Sequence, residues 1–142
     1  EPGNYTDNTG KGLGKHCGFC NYTIGQRKGL GIALGAPKHV LKIDAQTNTV
    51  VLGDHDELYT CNVQAGDVRV RDIQWLLDSP PVTARIRYKS PAVAATLQIT
   101  PMVNNQSPIL NLHFDQPVWG VTSGQSLVIY KDGLLVGGGI IL

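Results

Sequence analysis

The feature that most constrains the fold is the alternation of apolar and polar residues through the second half of the chain. From about residue 63 onward, short segments rich in β-branched residues place an apolar side chain at every second position. A period of two is typical of β-strands that bury one face. The segments that show it are 68–71, 82–89, 93–99, 110–114, 127–130 and 134–136. About six such strands, with prolines at their ends, predict a small closed β-barrel.

Two glycine-containing stretches refine this prediction. Lys131-Asp132-Gly133 separates the last two strands, and its glycine suits the left-handed position of a tight turn. The run Gly137-Gly138-Gly139 lies inside the last strand. Glycine in a strand interior marks a sharp bend or a close approach of another backbone.

The first 60 residues are richer in turn-forming residues and show less alternation. Residues 1–15 are mostly turn-formers and predict a loop or a short irregular hairpin. Residues 40–43 and 49–52 are β-branched and flank turn chemistry at 44–48, which predicts a β-hairpin. We therefore divide the chain near residue 62, into a small glycine-rich β module (1–62) and a barrel (63–142). The module has few large apolar side chains, so we expect it to be stabilised by packing against the barrel or against a further domain.

Charge is unevenly distributed, although the net charge is only +1. Between Asp7 and Asp44 all ionised side chains are cations, which would attract a polyanion. They are Lys11, Lys15, Arg27, Lys28, Lys38 and Lys42. No apolar run approaches the roughly 20 residues that span a bilayer. We therefore expect no membrane partner.

The barrel sequence carries a second group of cations. Arg85, Arg87 and Lys89 are spaced at every second residue, so a continuous strand would place them on one outer face. Like charges in a row are mildly unfavourable unless a counter-charge arrives. This stripe predicts a phosphate-binding surface, and a merely solvated barrel exterior is equally open on these grounds.

Residues for covalent chemistry are sparse. We find no nucleophile–base pair and no phosphate loop of the Walker spacing. Three cysteines without a secretion signal predict reduced thiols and a cytoplasmic location. Cys17 and Cys20 have the spacing of zinc and redox sites, and only His16 and distant Cys61 could complete a zinc site. A zinc or thiol redox protein is therefore one alternative, although we expect no metal in this chain.

The segment from His16 to Ile32 reads HCGFCNYTIGQRKGLGI. Its glycines suit backbone turns with positive φ, and Arg27 and Lys28 lie between them. The pattern HxGxxxYTIGQRKGLGI resembles the signature segment of the tRNA-specific 2-thiouridylases. Further matches cover the whole chain and include 86–88, 124–125 and 137–141. Ser123 departs from the family, which usually has proline there.

The resemblance implies a role and a domain organisation. These enzymes place sulfur on C2 of the wobble uridine of tRNA, using ATP and a persulfide. They have an ATP-binding domain, a central β domain and a C-terminal barrel like the second domain of elongation factor Tu. This chain resembles the last two, so ATP, magnesium and the catalytic cysteines belong upstream of Glu1. We expect a fragment of a longer protein, with no catalytic residue and no cofactor of its own.

The resemblance also places tRNA contacts at Arg87, Tyr88 and Gln125. Tyr88 conflicts with the stripe, because neighbours on a strand face opposite sides; it meets RNA at a strand edge or lies in the core. Together with the charge pattern, this predicts a tRNA-contact set of Lys15, Arg27, Lys28, Arg85, Arg87, Tyr88, Lys89 and Gln125.

The expected partners are tRNA, a sulfur-relay donor protein and the upstream ATP-binding domain. The remaining alternative is a translation-factor-like RNA-binding barrel without catalytic activity.

Overall fold

The computed structural model describes residues 1–78, 81–100 and 107–142. The chain forms two compact units, Glu1–Leu58 and Tyr59–Leu142. Residues 59–62, which the sequence assigned to the first module, are the beginning of the first barrel strand.

The first unit is a four-stranded mixed sheet. Its strands are β1 (Gly3–Thr6), β2 (Gly12–His16), β3 (His39–Asp44) and β4 (Thr49–Gly53), in the order β2-β1-β4-β3. β1 pairs antiparallel with β2 and parallel with β4, and β3 pairs antiparallel with β4. Short 3-10 helices occupy Phe19–Asn21 and His55–Leu58. The predicted hairpin of residues 40–52 is confirmed, and of the two alternatives for residues 1–15 the structure shows the hairpin.

The core of this unit depends on the glycine-rich segment as well as on the sheet. Leu30 is buried with Tyr5, Val40, Val50 and Leu52. The Tyr5 hydroxyl donates a hydrogen bond to the Leu30 carbonyl at 2.6 Å. Such a bond satisfies a carbonyl that would otherwise be buried without a partner. The segment is therefore packed against the sheet at Leu30.

The second unit is a closed antiparallel barrel, as the alternation predicted. Its strands are β5 (Tyr59–Val70), β6 (Pro81–Arg85), β7 (Val93–Thr100), β8 (Ile109–Trp119), β9 (Ser126–Lys131) and β10 (Leu134–Ile141). They close in the order β10-β5-β8-β7-β6-β9. A short helix, α1 (Ile73–Leu77), was not predicted. The fold class, a β module followed by a six-stranded barrel, is confirmed.

The barrel core is made by the apolar positions of the alternation. The largest fully buried side chains there are Phe114, Leu97, Leu110, Leu127 and Ile129. Pro117 lies within β8 rather than at an end. It is tolerated because the pairing of β8 with β5 jumps from Val118 to His113, so no ladder hydrogen bond is needed there.

The two predicted glycine features are confirmed. Asp132 and Gly133 both have positive φ, 49° and 78°, in the tight turn between β9 and β10. A Cβ at Gly137 or Gly139 would lie 2.5 Å from a backbone oxygen of β5. A Cβ at Gly138 would overlap a backbone carbonyl of β9. The last strand therefore needs glycine because its neighbours approach closely on both sides.

Within the described residues, no helix combines the length and the apolar character that crossing a membrane requires.

Candidate functional site

The predicted contact residues of the barrel meet at one of its ends. Arg85 on β6 pairs with Val128 on β9 in antiparallel register. The chain after Arg85 therefore leaves the sheet at the end of the barrel where β9 begins, and Gln125, the residue before β9, lies at that same end. We call this the Arg87 end and define it as residues 85–91 and 117–125.

Arg87 connects the two segments of this end. Its Nη2 donates a hydrogen bond of 2.6 Å to the Trp119 carbonyl, and its guanidinium carbon lies 5.4 Å from the Trp119 ring centroid. Gly120 follows with φ of 69°, and a Cβ there would lie 3.0 Å from the same Nη2. The side chain is thus held by a charge-assisted bond and an aromatic face.

The predicted stripe of Arg85, Arg87 and Lys89 on one strand face is wrong. β6 ends at Arg85, and residues 86–90 form a turn. The Ser90 hydroxyl donates to the Arg87 carbonyl at 2.8 Å and accepts from the Arg87 amide at 3.2 Å. Such local side-chain bonds compete with a strand ladder and end the strand.

This turn resolves the conflict over Tyr88. Its side chain is 91% exposed, so Tyr88 is neither core nor part of a strand edge. Lys89 beside it is also exposed. An exposed tyrosine between two cations provides a flat aromatic surface in a positive field.

Arg85 differs from its neighbours in the turn. Its guanidinium lies 5.7 Å from the Tyr130 ring centroid. Its Nε is buried and has no hydrogen-bond partner among the described residues. Arg85 is thus packed on the barrel wall and is less available to a ligand than Lys89.

Gln125 lies on a turn with a well-defined backbone. Its amide donates to the Thr122 carbonyl at 3.3 Å, and its carbonyl accepts from the Ile141 amide at 2.9 Å. Gly124 has φ of 84°. With the backbone held at both groups, the exposed carboxamide of Gln125 is presented from a fixed position.

Arg27 and Lys28 of the first unit are exposed on the glycine-rich segment. The Gln26 side chain closes this loop, accepting from the Thr23 amide at 3.0 Å and donating to the Lys28 carbonyl at 2.9 Å. The Gly25 amide donates a further backbone hydrogen bond of 2.8 Å to the Val40 carbonyl, and the Val40 amide donates one of 2.9 Å to the Gln26 carbonyl. The two cations are therefore carried by a loop that is bonded to β3.

Lys15 is exposed on β2, the opposite edge strand of the sheet. The structure therefore does not cluster it with the point where the glycine-rich segment joins β3.

The signature residues His16 and Tyr22 support the core. Their rings and that of Tyr5 have centroids 5.1 to 5.6 Å apart, in tilted and edge-on arrangements. His16 is 3% exposed, and its Nδ1 accepts from the Gly18 amide at 3.0 Å. Burial raises the pKa of the Tyr5 phenol, so it remains a donor to Leu30.

His39 opens β3 close to a second histidine. The rings of His39 and His55 have centroids 5.3 Å apart. Burial lowers the pKa of His39, and the neighbouring His55 and Arg27 lower it further. The neutral imidazole is therefore favoured in the folded unit.

Cys17 and Cys20 are exposed free thiols. Among the described residues, no group of three or more His, Cys, Asp or Glu side chains is arranged to hold a metal ion. The zinc alternative therefore gains no support from the geometry.

The residue that sequence reasoning missed is Trp119. It lies 32 residues from Arg87 along the chain, and no spacing links the two. The pairing of β5, β8, β7 and β6 is what brings β8's end to the 86–90 turn.

Two family models match the chain and define its class. One, described as a tRNA methyl transferase PRC-barrel domain, matches residues 1–54. The other, described as an aminomethyltransferase beta-barrel domain, matches residues 65–141. These two domains in this order place the chain in a class of proteins with a PRC-barrel domain followed by a second β-barrel domain.

The curated relatives are tRNA-specific 2-thiouridylases named MnmA. Those of Acetivibrio thermocellus and Natranaerobius thermophilus are 46% and 43% identical over 141 residues, or 99% of this chain. The chain spans 38% and 37% of their lengths. It belongs to the tRNA-specific 2-thiouridylase family and corresponds to the middle and C-terminal domains.

Proposed function

We propose that this chain is the tRNA-binding part of a tRNA 2-thiouridylase. In the whole protein, an ATP-binding domain would activate the C2 oxygen of the wobble uridine with ATP and magnesium, and a cysteine persulfide would supply the sulfur. A sulfur-relay protein would deliver that sulfur in the cytoplasm. This chain would hold the tRNA and pack against the ATP-binding domain.

The observation that carries the proposal is the composition of the Arg87 end. Arg87, Tyr88, Lys89 and Gln125 belong to two hydrogen-bonded turns at this end of the barrel. Cations bind phosphates without sequence preference, an exposed aromatic ring stacks on unpaired bases, and a carboxamide reads a base edge or a ribose hydroxyl. The end thus offers the three kinds of group that RNA-binding proteins combine.

The first unit supplies a second contact area in this proposal. Arg27 and Lys28 are exposed on a loop whose backbone is bonded to β3, so little order has to be gained on binding. Lys15 contributes as an isolated phosphate contact on β2. Arg85 is the weakest member of the set, because its side chain is already packed on Tyr130.

The test is a filter-binding titration of tRNA across several salt concentrations. If about four cations engage phosphates, the log–log slope of affinity against salt should be near −3, at roughly 0.7 to 0.9 per contact. Lys89→Ala should make the slope shallower by about one contact. Gln125→Ala should weaken binding without changing the slope, because the side chain is neutral.

The matched control is Lys131→Ala, which removes the same charge at the opposite end of β9. Screening over about 8 to 10 Å at physiological salt limits its influence on the Arg87 end. Affinity that does not depend on salt, or equal effects of Lys89→Ala and Lys131→Ala, would contradict the proposed surface.

The proposal also predicts that the chain alone does not thiolate tRNA, because we assign ATP binding and the catalytic cysteines to the upstream domain. The measurement is 2-thiouridine in nuclease digests of tRNA incubated with the chain, ATP and a persulfide donor. Detection of 2-thiouridine would contradict the assignment of catalysis to the upstream domain.

A further inference from the structure

A cleft of about 210 Å³ opens beside the contact between Arg87 and Trp119. It is lined by Ala84, Ile86, Arg87, Ser90, Pro91 and Val93 of the chain between β6 and β7 and its flanks, and by Pro117, Val118 and Trp119 of β8. The cleft belongs entirely to the barrel unit. None of the predicted contact residues except Arg87 lines it.

The size of the cleft limits what it can hold. Pockets that bury drug-sized ligands or cofactors occupy about 300 to 1,000 Å³. A single water occupies about 30 Å³ of liquid. The cleft lies between these values and suits one flat ring system rather than a whole nucleotide cofactor.

The chemistry of the walls points to a planar heterocycle. Trp119, Pro91 and Pro117 provide apolar surfaces, and the indole is a stacking surface. The Arg87 guanidinium has five N–H donors, of which the Trp119 carbonyl accepts one. The Ser90 hydroxyl donates to the Arg87 carbonyl and accepts from the Arg87 amide, which leaves one lone pair on its oxygen for a ligand.

The charges of the 85–91 segment favour an anionic ligand. The ionised side chains of the 85–91 segment are Arg85, Arg87 and Lys89, all of them cations. Tyr88, 91% exposed, stands on the same turn. A flat pocket next to cations and an exposed aromatic ring matches single-stranded RNA, whose bases are free to leave the stack.

We propose that this cleft binds one unpaired nucleobase of the RNA, with Trp119 as the stacking surface and Arg87 and Ser90 at the edge of the base. The proposal rests on RNA binding by the Arg87 end. It adds Trp119 as a base-binding residue and a requirement for an unpaired base. Phosphate contacts alone would not create that requirement.

The experiment uses the chain with Trp75→Phe, which leaves Trp119 as its only tryptophan. Two RNA probes are compared, a hairpin with an unpaired loop and a duplex with the same number of phosphates. The hairpin should quench Trp119 emission, and the duplex should not. Loss of one stacked base weakens binding about 5-fold or more. We therefore expect that loss for the hairpin with Trp119→Ala, and less than about 3-fold with Trp119→Phe.

The salt slope for both RNAs should be the same in wild type and Trp119→Ala, because stacking releases no counterions. Trp119→Ala also removes the ring on which Arg87 packs, and Trp119→Phe, which keeps an aromatic ring there, is the control for an effect through Arg87. If Trp119→Ala does not fold, the quenching of Trp119 and the affinity of Trp119→Phe decide whether a base stacks on Trp119.

The outcomes separate the two proposals. Absence of binding to either RNA at low salt would overturn the RNA-binding function itself. Equal binding of both RNAs, with the expected salt slope and no change in Trp119 emission, would leave that function standing and overturn the base cleft. Quenching of Trp119 by a proline-rich peptide, but by neither RNA, would assign the cleft to a protein side chain. That result would also overturn the proposal of a base-binding cleft.

Discussion

Replacing Arg87 tests whether the turn at residues 86–90 is held by the contact with Trp119. Arg87→Ala removes a charge-assisted hydrogen bond of 2.6 Å and the cation–π contact at 5.4 Å. Hydrogen bonds to charged groups contribute about 1.5 to 3 kcal/mol, and an exposed cation–π contact about 0.5 to 1 kcal/mol. The site is half-buried, so water can reach the vacated Trp119 carbonyl, and the lower ends of both ranges apply. The unfolding free energy of the barrel should fall by about 2 kcal/mol.

The measurement is urea unfolding, with tryptophan emission as the probe, because both tryptophans lie in the barrel unit. With a urea m-value of about 1 to 3 kcal/mol per M, the midpoint should fall by roughly 1 M and the m-value should not change. Arg87→Lys should recover less than half of the loss, because an ammonium lacks the planar fork and stacks poorly on the indole.

The matched control is Lys89→Ala, which removes an exposed cation from the same turn. Exposed substitutions of this kind change stability by less than about 0.5 kcal/mol. The reasoning fails if Arg87→Ala is no more destabilising than Lys89→Ala. It also fails if Arg87→Lys restores full stability, because the planar guanidinium would then contribute nothing beyond its charge.

Three further predictions concern other parts of the chain. Gly138→Ala should destabilise the barrel by about 3 kcal/mol or more in urea unfolding, because the new Cβ overlaps a carbonyl of β9, whereas Gly12→Ala, which meets nothing within 4 Å, should have little effect. The lowered pKa of His39 means that the unfolded chain takes up this proton first, at its ordinary pKa of about 6.5. Stability should be complete above that pH and fall as the pH drops through the folded-state pKa; His39→Gln should flatten the dependence, measured by circular dichroism in urea, and an unchanged slope would refute it. Because Cys17 and Cys20 are exposed and belong to no metal-holding cluster among the described residues, replacing both by serine should change neither the melting temperature nor the tRNA affinity, and stoichiometric zinc in the purified chain would show otherwise.

Local sequence patterns predicted most of the fold, because strand periodicity and turn chemistry act over a few residues. Alternation identified the barrel strands, and Asp132-Gly133 identified the last turn through the positive φ of both residues. Close backbone approach explains the run at 137–139, which the pattern also predicted. The charge pattern of the sequence predicted Arg27, Lys28 and Lys89 as exposed phosphate contacts. The structure places all three on the surface.

Tertiary structure decided where β6 stops and what Arg87 touches. The alternation continues through residue 89, yet the chain leaves the sheet at Arg85. The Ser90 hydroxyl offers the backbone of Arg87 a local partner, and the closed barrel brings the Trp119 carbonyl within 2.6 Å of the guanidinium. That carbonyl belongs to a strand 32 positions along the chain, and only the order of the strands brings it there. Periodicity records which face of a strand is apolar; it contains no information about which distant backbone group will accept a hydrogen bond once the barrel has closed.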